Sequence, residues 1–180
     1  MATTKQLGWL GTAWLCNFSR PASERPVFRQ VLAKAPKRIL EIGLGTLVRT
    51  ERMLRVAARN GGVCYIGLDR FEGRDVSDPP GVSLKEAHRR LHAMARVQLV
   101  PGNVDTSLAR LGNMLGHVDL VLISADNDER HLERCWFFIQ RLVTVGSTVL
   151  IEPSARAAWT ELPRAKLEEL AGRVVTRRAG

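Results

Sequence analysis

Residues 38–50, RILEIGLGTLVRT, restrict what this chain can fold into more than any other stretch. Arg38 to Ile42 reads as a short buried strand, and Gly43-Leu44-Gly45-Thr46 reads as a tight turn feeding a helix that extends to Asn60. Two glycines one residue apart carry no Cβ, so the backbone of such a turn can approach a ligand closely. Strand, glycine turn and helix in that order predict a parallel sheet with a ligand at the turn.

The rest of the chain repeats this alternation. Residues 63–68, 96–100, 118–123 and 144–151 are short apolar runs of strand length. Helical patterns separate them: 83–94 capped by Ser83, 104–115 and 128–142. An earlier helix begins near Glu24 with Ser23 as its cap, sets Val27, Phe28, Val31 and Leu32 on one face, and stops at Pro36. The tail reads as a helix ending at Leu170 followed by a strand-like piece, 173–178. Five strands separated by helices predict a Rossmann-like α/β fold, doubly wound and mostly parallel, with helices on both faces in a three-layer sandwich. Its crevice falls at the carboxyl ends of the strands, at 43–46, 69–71, 102–104, 124–127 and 152–154. Residues 23–180 form the main domain in this reading. Residues 1–22 form an aromatic lead-in or cap, with Trp9, Trp14 and Phe18 packing a short helix onto it.

Composition narrows the class. With 45% apolar and 25% charged residues the chain is an ordinary globular one, long enough for its own core. The net charge of +9 favours an anionic partner, but Lys and Arg never occur in runs longer than two, so nucleic acid is a possible partner and not the favoured one. Cys16, Cys64 and Cys135 lack C-x-x-C spacing and read as reduced thiols of a cytoplasmic protein. No apolar run is long enough to span a bilayer, no cleavage site follows the apolar residues 7–18, and neither secretion nor a membrane partner is expected.

The ligand class follows from residues around the turn. Asp69, at the end of the second strand, is placed to accept hydrogen bonds from a ribose diol. Val48 stands where a dinucleotide fingerprint wants a third small residue, which disfavours NAD. Glu41, just before the turn, would repel a pyrophosphate and suits a cationic amino group instead.

At these residues the chain resembles the class I S-adenosylmethionine-dependent methyltransferases, whose first motif is commonly E/D-x-G-x-G-x-G. Glu41-Ile42-Gly43-Leu44-Gly45-Thr46 matches it, with Leu47 in place of the third glycine. The resemblance covers about residues 25 to 155. It implies S-adenosyl-L-methionine as cofactor, held by Glu41, Gly43, Leu44, Gly45, Thr46, Asp69, Arg70, Asn103, Val104 and Ser124. Asp69 would meet the ribose, Arg70 the adenine ring, and Asn103 the adenine amine. It further implies a methyl acceptor, a small molecule or a macromolecule, near 124–127. Ser124 and Glu152-Pro153 depart from the metal-binding pattern of part of the family, so the expected mechanism is metal-independent. The resemblance also implies an antiparallel hairpin at the sheet edge, and the short stretch after Ile151 leads us to expect one strand there instead of two.

The catalytic candidates are Asp126, which also suits a helix cap, and His131, whose imidazole can act as general base. His88 and His92, at i and i+4, read as a solvated helix face, since no third ligand lies nearby. Arg20, Arg25, Arg49, Arg74, Arg130 and Arg156 are candidates to surround an acidic acceptor. The leading reading is a methyltransferase. The alternative is an inactive methyltransferase-like protein that binds an anionic partner or nucleic acid.

Overall fold

The computed structural model describes residues 7–112, 114–127 and 129–178. Its strands are β1 (Arg38–Ile42), β2 (Cys64–Asp69), β3 (Arg96–Pro101), β4 (Val118–Ile123), β5 (Val143–Ile151) and β6 (Thr160–Glu161). Its helices are α1 (Trp9–Asn17), α2 (Arg25–Lys34), α3 (Val48–Ala57), α4 (Leu84–Leu91), α5 (Val104–Leu111), α6 (Glu129–Glu133), α7 (Trp136–Leu142) and α8 (Arg164–Arg178).

The strands form one sheet in the order β3-β2-β1-β4-β5-β6. β1 pairs in parallel with β2 on one side and β4 on the other, and β6 alone runs antiparallel, against β5. The strand order therefore reverses between β1 and β4, where a doubly wound sheet opens a crevice beyond its carboxyl ends.

β1 shows why both faces are covered. Its side chains alternate: Ile39 belongs to the core under α2, α3 and α4, while Leu40 and Ile42 belong to the opposite core under α5, α7 and α8. The first core is filled by Val27, Phe28, Val31, Met53, Leu54 and Leu91, and the second by Leu108, Leu111, Ile139, Leu142, Leu167 and Ala171. Successive side chains of a strand point to opposite faces, so a strand that buries apolar residues on both needs a layer on each side.

Some sequence expectations change. Residues 173–178 are not a strand but the end of α8, whose buried Leu167 and Ala171 stand four residues apart. The β-branched Val174 and Val175 pull a local reading toward strand, while the helix is set by packing upstream. The antiparallel edge is the two-residue β6, with Leu150 opposite Glu161 and Ile151 opposite Thr160. The single helix expected over 128–142 is two, α6 and α7, and the Cys135 N–H between them bonds the Leu132 carbonyl in a tighter turn. α2 begins after a short 3-10 turn at Ala22–Glu24, and Ser23 does not cap it; its carbonyl accepts from the Trp159 N–H. Ser83 does cap α4, its Oγ accepting from the Glu86 N–H at 3.1 Å.

α1 does lie on the domain, but not through its aromatic residues. Thr12, Leu15 and Cys16 are buried, whereas Trp9, Trp14 and Phe18 are exposed.

Candidate functional site

Beyond the carboxyl ends of β1, β2, β3 and β4 lies a cleft of about 350 Å³, within the range of small-molecule sites. Gly43 lines it from the β1 turn, Asp69 and Arg70 from the end of β2, Asn103 and Val104 from the loop after β3, and Asp126 and His131 from the segment after β4. The sheet thus gathers seven of the expected site residues, drawn from four separate stretches, around one space. Leu44 and Ser124 are buried and do not line it, nor do the exposed Thr46 and the half-buried Gly45.

The turn has the conformation its glycines imply. Gly43 has φ +83° and Gly45 φ +58°, in the left-handed region that favours glycine. A Cβ on Gly43 would come within 2.8 Å of Asn127 Nδ2 and 3.0 Å of the Ser124 Cβ. Asn127 fastens the two loops together, its Nδ2 donating to the carbonyls of Ile42 at 3.0 Å and Ser124 at 2.8 Å.

Glu41 is not in the cleft. It is fully buried beneath the turn, on the α3 face of β1, where Arg49 Nη2 donates to its Oε1 at 2.6 Å and Arg49 Nε to the same oxygen at 3.0 Å. Its other oxygen accepts from Thr50 Oγ1 at 2.9 Å and from the Tyr65 hydroxyl at 2.6 Å. Arg49 also donates to the Gly43 carbonyl at 2.9 Å and lies over the Trp159 ring, 4.6 Å from its centre. Burial alone would lower the Arg49 pKa, but the adjacent Glu41 carboxylate holds it above the ordinary value. The Tyr65 phenol is pushed well up by burial and by the same carboxylate. The network fixes the glycine turn from below.

Asp69 reaches the cleft wall already supplied with donors. One oxygen accepts from the Leu44 N–H at 2.7 Å and Arg74 Nη2 at 2.6 Å, the other from the Phe71 N–H at 2.8 Å and Arg74 Nε at 3.1 Å. Arg74 further donates to the Pro79 carbonyl at 2.9 Å, which ties the 74–81 loop to the carboxylate. Gly73, Arg74 and Asp75 line the cleft as well, although the sequence reading stopped this wall at Phe71. The signal for them is the exchange of opposite charges within one short loop: Arg70 pairs with Asp78 at 2.6 Å while Arg74 takes Asp69.

On the other wall, Asp126 Oδ2 stands 3.9 Å from where a Cβ on Gly45 would lie, so its carboxylate faces the turn. Among the described residues it has no ion-pair partner. His131 Nδ1 is 3.0 Å from Asp105 Oδ2, which assigns the proton to Nδ1 and leaves Nε2 as acceptor in the neutral ring. Burial works to raise the Asp105 pKa, but His131, the Thr106 N–H and Arg134 bring it below the usual carboxylate value.

The positions that the family resemblance singled out for a metal do not form a donor set. Ser124 donates to Glu152 Oε2 at 3.2 Å, the Arg156 N–H donates to Glu152 Oε1 at 2.9 Å, and Pro153 brings no donor atom. His88 and His92 stack on each other with ring centres 5.5 Å apart. Among the described residues no cluster of three or more His, Cys, Asp or Glu is placed to hold a metal. The arginines do not converge: Arg49 is beneath the turn, Arg25 donates to the Ser19 carbonyl, and Arg74 alone of the set lines the cleft.

No protein-family model matches this sequence, and no curated protein matches it. Solved structures do. An O-methyltransferase from Bacillus cereus in complex with SAH is similar over 93% of this chain and 76% of its own, at 15% identity and a TM-score of 0.57. The O-methyltransferase TomG from Streptomyces achromogenes, involved in tomaymycin synthesis and in complex with SAM, is similar over 98% of this chain and 80% of its own, at 16% identity and a TM-score of 0.54. Cofactor-bound Rv0187 from MTB is similar over 93% and 73%, at 21% identity and a TM-score of 0.54. The fold is therefore that of the class I methyltransferases, as the sequence resemblance implied.

Proposed function

We propose that the protein is an S-adenosylmethionine-dependent methyltransferase that works without a metal. The observation that carries this is the cleft at the sheet's switch point, where the turn at Gly43, Asp69, Asn103 and Asp126 line one space large enough for an adenosyl amino acid. The residues fit that group. Asn103, exposed at the mouth with no capping bond from its side chain, offers an amide oxygen to the adenine amine. Asp69 offers its carboxylate to the ribose once Arg74 gives way. Asp126, facing Gly45, accepts from the ammonium group, the role first read for Glu41. Leu44 and Ser124 support the turn and the opposite wall from behind.

The cofactor supplies a methyl group already activated on a sulfonium. The protein's part is to hold donor and acceptor in line and exclude water. Where the acceptor must lose a proton, His131 Nε2 takes it, with Asp105 fixing the ring through Nδ1. Glu152 is engaged by Ser124, Ala125 and Arg156, which supports a mechanism without metal. The methyltransferase activities of the structural neighbours support an enzyme over a protein that only binds.

The test is transfer of a labelled methyl group from S-adenosylmethionine to fractions of a cell extract, with and without a chelator. A labelled product made equally well in chelator supports the proposal. Loss of the product in chelator would overturn metal independence, and cofactor binding with no labelled product in any fraction would overturn the enzyme reading.

A further inference from the structure

The outward face of α1 carries large apolar side chains that no other part of the described fold covers. Leu10, Trp14 and Phe18, the last at the C-terminal cap, recur every four residues, hence along one stripe, and are 74%, 52% and 68% exposed; Trp9, about 100° round the helix from Leu10, is 71% exposed. The opposite face of the same helix, Thr12, Leu15 and Cys16, is buried. A helix apolar on both faces belongs inside a core, yet this one lies on the surface with one apolar face uncovered by the described fold. Three large side chains along one stripe, with Trp9 exposed on a second flank, are more than the scattered exposed residues of an ordinary surface.

Cations border the seam where α1 meets the domain. Arg29 donates to the Cys16 carbonyl at 2.9 Å and to Asn17 Oδ1 at 3.3 Å, and Arg59 donates to Thr12 Oγ1 at 3.1 Å. Arg25 donates to the Ser19 carbonyl at 2.9 Å and Arg52 to the Arg20 carbonyl at 2.7 Å. Arg20, Arg29 and Arg59 remain exposed. The carboxylate in this set is Glu24, 3.4 Å from Arg52, so the seam is strongly positive.

We propose that α1 seats the protein on an anionic phospholipid surface. Leu10, Trp14 and Phe18 enter the boundary between headgroups and acyl chains with Trp9 at their flank, and the arginines bordering α1 meet lipid phosphates. Aromatic and apolar side chains can lie in the headgroup boundary, and arginines of the neighbouring elements add attraction to anionic lipid. No helix of the described residues is long and apolar enough to cross a membrane, but that concerns spanning; lying in the interface takes only one apolar face. A second copy is the poorer occupant, because a two-fold pairing of α1 would set the same arginines against each other. Single-stranded nucleic acid is poorer too, since it favours aromatics lining a groove and not a convex ridge with leucine in its stripe.

The test is co-sedimentation of the full chain with vesicles of phosphatidylcholine alone and of phosphatidylcholine mixed with phosphatidylglycerol, read together with tryptophan emission. Trp136 and Trp159 are buried, so a blue shift on adding vesicles reports Trp9 and Trp14. The proposal predicts sedimentation with the mixed vesicles, reduced by salt, accompanied by a blue shift. It predicts about tenfold weaker binding for Trp14→Ser with Phe18→Ser, two exposed positions where the fold should be kept. Arg29→Gln with Arg59→Gln should weaken binding to the mixed vesicles only. The proposal is overturned if the wild type stays in the supernatant with mixed vesicles, or if neutral vesicles bind equally well. It is likewise overturned if Trp14→Ser with Phe18→Ser converts a dimer to a monomer, or abolishes retention on single-stranded RNA, with no effect on vesicles. None of these outcomes depends on methyl transfer, so this surface and the cleft stand or fall separately.

Discussion

Glu41 and Arg49 form an ion pair at 2.6 Å directly beneath the glycine turn, with Arg49 also holding the Gly43 carbonyl. The carboxylate is fully buried, and its second oxygen is taken by Thr50 and Tyr65. A buried pair of this kind contributes little over an apolar replacement of both partners, but removing one partner leaves a charge stranded. Glu41→Gln should therefore destabilise the fold by about 3 kcal/mol in urea titration. Tyr65→Phe, which removes one hydrogen bond to the carboxylate, should cost about 1.5 kcal/mol. Equal stability of Glu41→Gln and wild type would show that the network is not what holds the turn.

The same burial predicts a loss of stability in alkali. Burial, with a smaller contribution from Asp105, pushes the Cys135 thiol up to about 12, and burial with Glu41 pushes the Tyr65 phenol well above its ordinary value. Both groups keep their protons in the folded chain at pH values where the unfolded chain has lost them. Their contribution is full below roughly pH 8.5, where an unfolded thiol starts to ionise. It is lost as pH rises toward the folded values. The chain has one tyrosine, so tyrosinate absorbance reports Tyr65 alone. It should stay silent near pH 10, where a free phenol titrates, and appear only with unfolding. A smooth titration near pH 10 in the folded protein would contradict the buried network.

Arg74 competes with any ribose for Asp69. Both carboxylate oxygens accept from its guanidinium, at 2.6 and 3.1 Å. The Leu44, Gly45 and Phe71 N–H groups still hold Asp69 when Arg74 is gone. Arg74→Ala should then bind S-adenosylhomocysteine about tenfold more tightly, since the ligand no longer displaces a charge-assisted contact. Weaker binding would mean that Arg74 itself touches the ligand.

The parts that were legible in sequence were those governed by local pattern. The buried strands around Leu40, Ile66 and Val121, the tight turn at Gly43 and Gly45 and the Ser83 cap each follow from spacing or from one residue's local chemistry. What failed depended on partners distant in sequence. Glu41 reads as a ligand group until Tyr65, from the next strand, and Arg49, from the helix above, are seen to enclose it. The aromatics of α1 read as core, and only the packed structure shows that Leu15 and Cys16 take that face. The two-residue β6 is too short for any periodicity to register.

Calorimetry with S-adenosylhomocysteine decides whether the cleft holds an adenosyl amino acid. Two variants accompany the wild type. Asp126→Asn removes the carboxylate that faces Gly45, and Gly73→Trp places a large side chain where a Cβ would touch only the Arg70 Cβ, at 4.0 Å, on the cleft wall. Saturable one-to-one binding is expected for the wild type, about tenfold weaker binding for Asp126→Asn, and none for Gly73→Trp with its fold intact. No heat of binding to the wild type with ligand on the order of 1 mM would contradict that reading of the cleft.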